Sequence, residues 1–414
     1  MRLAMSHPTG NANVRQAALA FAQAGVLREF TTCLAWDPSW MVDRLLPQRL
    51  RAQVNRRTLP PEVLAVTRTH PLREIVRLAA GGLGLGFERL VGHEHGFCSP
   101  DGVYRALDRD FARRLRARPG LDHIYVYEDG ALHSLEAARE RGIASTYELP
   151  IGYWRAHQIL LLEERELQPE WAATLTILAD SPGKLARKDR ELALSDQVIV
   201  PSAFVRETLA DAAVDPRRVH VLPYGCSTPT IAVRARTQGA LRLLFVGGLS
   251  QRKGLSYLFA AQARLGRAAE LTVIGTAGGP PCPALDRALS GVRYLGSQPN
   301  AVVLREMREH DVLVFPTLFD GFGLVMLEAM SQGLVVVATT NSGSREIIED
   351  GRNGYIVPIR DADALVDRLA RLDRDRALLH DLANASLATA LRCSWDAYRR
   401  RLLELVIHAK RASA

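Results

Sequence analysis

Five short apolar runs in the second half of the chain, Leu241–Val246, Leu271–Ile274, Val292–Tyr294, Val312–Phe315 and Val335–Thr339, alternate with segments of helical pattern. Runs of this length read as strands, and strands that alternate with helices pair in parallel, since each helix carries the chain back across the sheet. A strand apolar at nearly every position, such as Val335–Thr339, belongs to a sheet covered on both faces. The fold class expected is therefore α/β and doubly wound, with any ligand outside the carboxyl ends of the strands.

The first half opens in the same way. Met1–Ser6 reads as a short buried strand, Gly10-Asn11-Ala12-Asn13 as a turn, and Val14–Ala24 as a helix with Asn13 as its N-cap. Gly10 sits in a turn that can face a ligand. From Asp122 the alternation returns with a strand at Ile124–Tyr127, a helix at Ser134–Arg141 and a strand at Ala144–Tyr147, followed by strand-like Gln197–Val200 and Val219–Leu222. Tyr224–Pro229 breaks the pattern, and an Arg- and Thr-rich stretch runs on to Gly239. At 414 residues the chain exceeds one ordinary core. Two domains are expected, over residues 1–225 and 240–385, with a final helical stretch at Trp395–His408. No Gly-x-Gly-x-x-Gly follows the first strand, which argues against a nucleotide-sugar epimerase or dehydrogenase.

Composition narrows the function classes. A hydrophobic fraction of 47% with 24% charged residues is that of a soluble globular protein, and no apolar run is long enough to span a bilayer. The N-terminal Leu3-Ala4-Met5 is too short for a signal-peptide core, so a cytoplasmic location is expected. The cysteines at 33, 98, 226, 282 and 393 form no Cys-x-x-Cys pair, as expected of idle thiols without a zinc site or disulfide framework. The net charge of +8 comes from arginine, with lysine only at 184, 188, 253 and 410, a usage that does not point to nucleic acid. In such a chain Lys253 stands out as a place needing a compact ammonium. Eight arginines fall between Arg44 and Arg77, against Glu62 and Glu74. They read as one or two solvated amphipathic helices, or else as a basic apolar surface that brings residues 44–77 to anionic lipid at the inner face of the membrane or to an acidic acceptor. Gly81–Gly86 lacks a preceding strand and reads as a loop.

The most informative stretch is Phe315–Met330. A strand ends at Pro316, Gly321 and Gly323 leave bare backbone, and a helix begins near Gly323 and stops before Gly333. The N–H groups and dipole of such a helix end favour an anion such as a diphosphate. Asp320 before the helix and Glu328 within it can accept hydrogen bonds from sugar hydroxyls on either side of it.

Asp320, seven residues, then Glu328, in a Phe322-Gly323 and Glu328-Ala329-Met330 context, resembles the mark of the retaining GT-B glycosyltransferases of family four. Gly333, the strand Val335–Thr339 and Gly343-Ser344-Arg345-Glu346 continue the likeness, and Gly247-Gly248-Leu249-Ser250-Gln251-Arg252-Lys253-Gly254 looks like the family's phosphate loop. The resemblance implies two Rossmann-like domains facing a cleft, with the donor on the second domain, the acceptor on the first, and the last helix, within 386–414, crossing back. It implies transfer from a nucleotide sugar to an acceptor hydroxyl with retention, without a metal or other cofactor. The acceptor could be a glycan, a lipid-linked molecule or a small molecule. Lys253 and Arg252 would face the diphosphate and act with Asp320 in catalysis; Gly247, Gly248, Gly321, Phe322, Gly323, Leu324 and Glu328 would bind the donor, with Gly10 reaching it from the first domain.

Three departures stand out. Gly248 occupies the place where relatives carry the loop arginine, which moves that role to Arg252 or leaves it vacant. Asp320 replaces the usual Glu, shortening its reach by roughly 1.5 Å. Glu148 ends a strand where many relatives have a histidine; it either steers the acceptor hydroxyl or is a loop acid with no part in chemistry. His133 and His157 read as plain surface or core histidines. Asp361-Ala362-Asp363 has the spacing of a metal pair but sits in a polar turn. These departures keep open the alternative of a catalytically silent relative that binds a nucleotide sugar or a partner protein.

Overall fold

The computed structural model describes residues 1–39, 55, 57–83, 88–92, 94, 96–176, 180–227 and 238–408. Its apolar runs assemble into two all-parallel sheets. The first joins β1 (Leu3–Ser6), β2 (Leu27–Thr32), β3 (Thr67–Thr69), β4 (His123–Tyr127), β5 (Ala144–Glu148), β6 (Gln197–Val200) and β7 (Val219–Val221), in the order 3-2-1-4-5-6-7. The second joins β8 (Leu241–Val246), β9 (Ala269–Ile274), β10 (Arg293–Tyr294), β11 (Val312–Phe315), β12 (Val335–Thr339) and β13 (Gly354–Val357), in the order 10-9-8-11-12-13. Every residue of β11 and β12 is buried, as helices on both faces require. The strand order reverses between β1 and β4 and again between β8 and β11, and at such points the loops part to leave a crevice.

Several local expectations shift. The first helix spans Ala12–Gln23 with Asn11 at its N-cap, which frees the Asn13 side chain for a distant contact. Gly81 and Gly82 lie inside the Leu72–Leu83 helix rather than in a loop, and Gly84–Gly86 fall outside the described residues. Within 44–77, residues 44–54 and 56 are likewise outside them. Of the arginines that are described there, Arg57 and Arg77 bind Glu74, which is itself only 1% exposed, so they are internally paired rather than solvated.

The two halves meet over a continuous core. Leu222 and Tyr224 of the connection, Phe322 of the second half, and Tyr398 and Leu402 of the last helix share one buried cluster with Leu3, Met5 and Phe21. The chain crosses twice, side by side: the Cys226 N–H donates to the Cys393 carbonyl (2.8 Å) and the Trp395 N–H to the Cys226 carbonyl (3.1 Å). The Arg376–Arg392 helix stays against the second sheet, and the Trp395–Leu403 helix packs on Ala12–Gln23, so the return crossing falls at 393–394. Each half also lends the other an aromatic ring. Trp171 enters the core of the second half and stacks on Phe259, while Phe319 enters that of the first, 4.4 Å from His157 and 5.1 Å from Phe204. Between them the fully buried Glu164 carboxylate accepts from Gln251 (2.7 Å), Tyr257 (3.1 Å) and Arg360 (2.7 Å).

Candidate functional site

A cavity of about 720 Å³ opens at the carboxyl ends of β8 and β11, where the strand order of the second sheet reverses. Its wall gathers residues from five places in the sequence: Gly247, Gly248, Arg252 and Lys253 after β8, Ser297, Gln298 and Asn300 after β10, and Asp320, Phe322, Gly323, Leu324 and Glu328 after β11, with Pro150 after β5 and Tyr224 after β7 closing it from the first half.

The loop after β11 is shaped by its glycines. Gly323 has φ 81° and caps the Leu324–Ser331 helix without a side-chain hydrogen bond; a Cβ there would sit 2.7 Å from the Phe315 ring. The uncapped first turn therefore presents its amides and the positive end of the helix dipole to the cavity. Gly321 lies against the first half, where an added Cβ would be 1.8 Å from the Pro150 carbonyl oxygen, and its own carbonyl accepts from the Ser202 hydroxyl (2.6 Å).

Across the cavity, a tight turn over Gln251–Lys253 ends at Gly254 (φ 69°). The Arg252 carbonyl accepts the Leu318 N–H (2.9 Å), which ties this turn to the end of β11. Lys253 forms an ion pair with Asp320 in a setting where only 10% and 17% of the two side chains are exposed, and its Nζ lies 4.9 Å from the centre of the Phe315 ring. Burial holds the Lys253 ammonium below its usual range, against the pull of Asp320. Burial works to raise the Asp320 carboxyl, but Lys253 and Arg252 outweigh it and hold the group low, so it stays ionised. Arg252 donates to the Phe319 carbonyl (2.6 Å). Glu328 is half-buried and its pKa is raised by burial, with Asn300 as its hydrogen-bond donor at 3.4 Å. Two cations and a helix N-terminus thus converge where an anion would sit, with a carboxylate on either side.

Gly248 is open: nothing lies within 4 Å of a Cβ built on it. Gly10 (φ 62°) is buried, donates its N–H to His7 Nδ1 (3.1 Å) and lies off the cavity wall. Gly321 shapes the loop from behind the wall. Glu148 also stands away from the cavity, fully buried at the end of β5. Asp361 is spent on capping the Ala362–Arg374 helix, and Asp363 pairs with Arg264. Among the described residues no group of three or more His, Cys, Asp or Glu side chains could hold a metal, and no helix is long and apolar enough to cross a membrane. Sequence reasoning missed Ser297, Gln298, Asn300 and Tyr224. The polar turn after β10 was a usable signal for the first three. Tyr224 was visible only as part of the pattern break.

The family "Glycosyl transferases group 1" matches residues 240–375, within the half of the chain that supplies most of the cavity wall. The chain is 29% identical over 297 residues to a D-inositol 3-phosphate glycosyltransferase of Frankia alni, an alignment covering 62% of this chain and 73% of that one. A second protein of that name, from Salinispora arenicola, is 27% identical over 399 residues, or 87% of this chain and 84% of that one. Among solved structures, sucrose-phosphate synthase from Thermosynechococcus elongatus superposes with a TM-score of 0.68 at 18% identity over the whole of both chains. The HepE protein of Anabaena, in complex with UDP, superposes with a TM-score of 0.63 at 15% identity over 99% of this chain and 100% of that one. These two likenesses establish the two-domain GT-B architecture. The helix after Ser394 completes it by packing back on the first helix of the chain. With the cavity at the switch point of the second sheet and the glycosyl transferases group 1 match over residues 240–375, the chain is a glycosyltransferase of GT-B fold that draws its sugar from a nucleotide-sugar donor.

Proposed function

We propose that the cavity holds the donor with its diphosphate between Lys253, Arg252 and the first turn of the Leu324–Ser331 helix, its ribose on Glu328 and its sugar beside Asp320. The convergence of Lys253, Arg252, the uncapped helix end and Glu328 on one 720 Å³ space carries this reading. As the bond from the anomeric carbon to the diphosphate breaks, negative charge grows on the leaving oxygen. The two cations and the helix dipole meet that charge, so no metal is required. The anomeric carbon bonds to an acceptor hydroxyl with retention of configuration. The acceptor hydroxyl gives its proton to the departing diphosphate oxygen, and a nucleoside diphosphate leaves. The acceptor enters from the first domain's side of the cleft, along the loops after β1, β4 and β5.

In the resting site Lys253 and Asp320 hold one another, so the donor finds both already in position. Diphosphate oxygens then share the ammonium with Asp320. Gly248 leaves room at the place of the missing loop arginine, and Arg252 takes over its charge. A panel of UDP-, GDP-, ADP- and dTDP-sugars tests the site by thermal shift. One of them, with UDP-glucose tried first, should raise the melting temperature by linkage, and no shift with any of them would refute the donor assignment.

The first domain offers a contact for a lipid surface in the cytoplasm. Leu72, Ile75 and Phe97 are exposed by 70%, 52% and 58%, and Arg73 lies 3.8 Å from the centre of the Phe97 ring. Apolar side chains beside a guanidinium suit the interface of an anionic bilayer. Co-sedimentation with phosphatidylglycerol vesicles, lost in Leu72→Asp/Ile75→Asp, is the expected result; equal sedimentation of both proteins would refute it.

A further inference from the structure

The donor reading gives no part to Glu148, although this carboxylate is fully buried at the end of β5. Both of its oxygens are engaged. Oε1 accepts from Asn13 Nδ2 (2.9 Å) and from the Tyr224 hydroxyl (2.7 Å), and Oε2 accepts from the Tyr125 hydroxyl (2.6 Å). Asn13 Nδ2 also reaches the Tyr224 hydroxyl (3.2 Å). These donors come from the first helix, from β4 and from the connection between the domains, and they converge on one acid.

Tyr224 is the member of this set that reaches the cavity. Its ring lies on the cavity wall and meets Phe322 edge-on at 5.4 Å, while Trp395 (6.5 Å) and Tyr398 (6.0 Å) of the returning helix pack on it from the other domain crossing. Phe322 in turn is part of the loop that carries Asp320. Its N–H donates to the Asp320 carboxylate, its carbonyl accepts from Gly343 (3.0 Å), and its ring fills the space beside Gly343 so closely that a Cβ there would be 2.3 Å away. One path of contacts therefore runs from Glu148 through Tyr224 and Phe322 to Asp320.

We propose that Glu148 is a positioning residue, which fixes Tyr224 as a wall of the donor cavity and thereby sets the loop that presents Asp320. This rests on the donor reading above. A carboxylate suits the task because it only accepts, and three donors face it; an amide would turn an N–H toward one of them. A buried acid with both oxygens taken, off the cavity wall, is badly placed to pass a proton to or from an acceptor hydroxyl. The anchor also spans the seam between the domains, so donor geometry and domain setting depend on the same hydrogen bonds.

Steady-state kinetics of donor turnover in Tyr224→Phe, Glu148→Gln, Glu148→Ala and the Glu148→Gln/Tyr224→Phe pair test this. Tyr224→Phe keeps the ring and removes only the hydroxyl, so it is the variant sure to keep the packing. Each of Tyr224→Phe and Glu148→Gln should raise the donor KM by about three- to tenfold with kcat held within about twofold. The pair should be no worse than the worse single variant, since both break one link. Glu148→Ala should raise KM further and leave the pH profile of kcat unchanged in shape. A kcat collapse in Glu148→Gln at constant donor KM, with one limb of the pH profile lost, would assign Glu148 to proton handling and overturn the proposal, as would independent effects that multiply in the pair. A wild-type protein that turns over no donor overturns the donor reading and this role together, whereas normal wild-type turnover with multiplying effects overturns the positioning role alone.

Discussion

Replacing Lys253 with methionine keeps most of the side-chain volume and removes one charge from a pair whose members are 10% and 17% exposed. The Asp320 carboxylate then remains in a low-dielectric site without its nearest cation. Breaking a buried pair from one side costs about 3–5 kcal/mol, and the lower figure applies here because Arg252 also acts on Asp320. For a domain of this size about 3 kcal/mol lowers the melting temperature by roughly 6–12 °C. Removing both charges, in Lys253→Met/Asp320→Asn, should restore most of that loss, because no unpaired ion is left. Turnover behaves differently. The ammonium matters most when charge develops on the departing diphosphate, so Lys253→Met should lower kcat by about 10²–10³-fold while donor KM changes far less. The double variant should stay inactive although it is the more stable of the two. Calorimetric melting and a continuous assay for nucleoside diphosphate release read the two effects separately. The reasoning fails if the double variant melts no higher than the single one, or if Lys253→Met retains full kcat.

Two further outcomes follow from the same geometry. Glu328→Ala should weaken donor binding by about 1.5–3 kcal/mol, measured by titration calorimetry, with an unchanged melting temperature, because its side chain faces the cavity and is held by a long hydrogen bond from Asn300 (3.4 Å); unchanged affinity would remove it from the ribose site. His7 and His157 are both held neutral by burial, with Arg57 acting on the first and Arg252 on the second, and both pKa values fall to about 3. A depressed folded value contributes stability that is whole above the unfolded value of 6.5 and is lost as pH falls toward about 3. The melting temperature should therefore drop between pH 6.5 and about pH 4, less steeply in His157→Gln than in the wild type; parallel slopes would show that His157 does not carry its share.

Much of this was legible in the sequence, for local reasons. The runs Val312–Phe315 and Val335–Thr339 are apolar throughout because both sheet faces are covered, and that pattern survives translation into one dimension. The spacing of Asp320 and Glu328 was readable because one loop and one helix carry both residues. What stayed hidden depends on distant partners. β2 contains Arg28 and Glu29, and Glu29 is buried against Arg114 (2.9 Å) and Arg118 (3.0 Å), more than eighty residues away, and Arg68 (3.2 Å). A charged residue in so short a run masks a strand. Asn13 looked like a helix cap, yet its side chain serves Glu148, which is remote in sequence. The exchange of Trp171 and Phe319 between the domains has no periodic signature either, since each ring is a lone aromatic in a loop or short turn. Glu148 was recognisable as the acid in a place where relatives carry histidine, but only the fold shows that three donors already occupy it.

We propose that this chain cleaves a nucleotide sugar and passes the sugar on with retention, using Lys253, Arg252 and the helix end at Gly323 in place of a metal. The most direct measurement is proton NMR of the reaction with the nucleotide sugar that gives the largest thermal shift, in the presence of a chelator, following the anomeric signal of the product and the release of nucleoside diphosphate. The account predicts an α-linked product from an α-linked donor, nucleoside diphosphate in equal amount, and a rate insensitive to chelation. A folded protein that binds the donor and releases no nucleoside diphosphate, or that yields the β anomer, would contradict it.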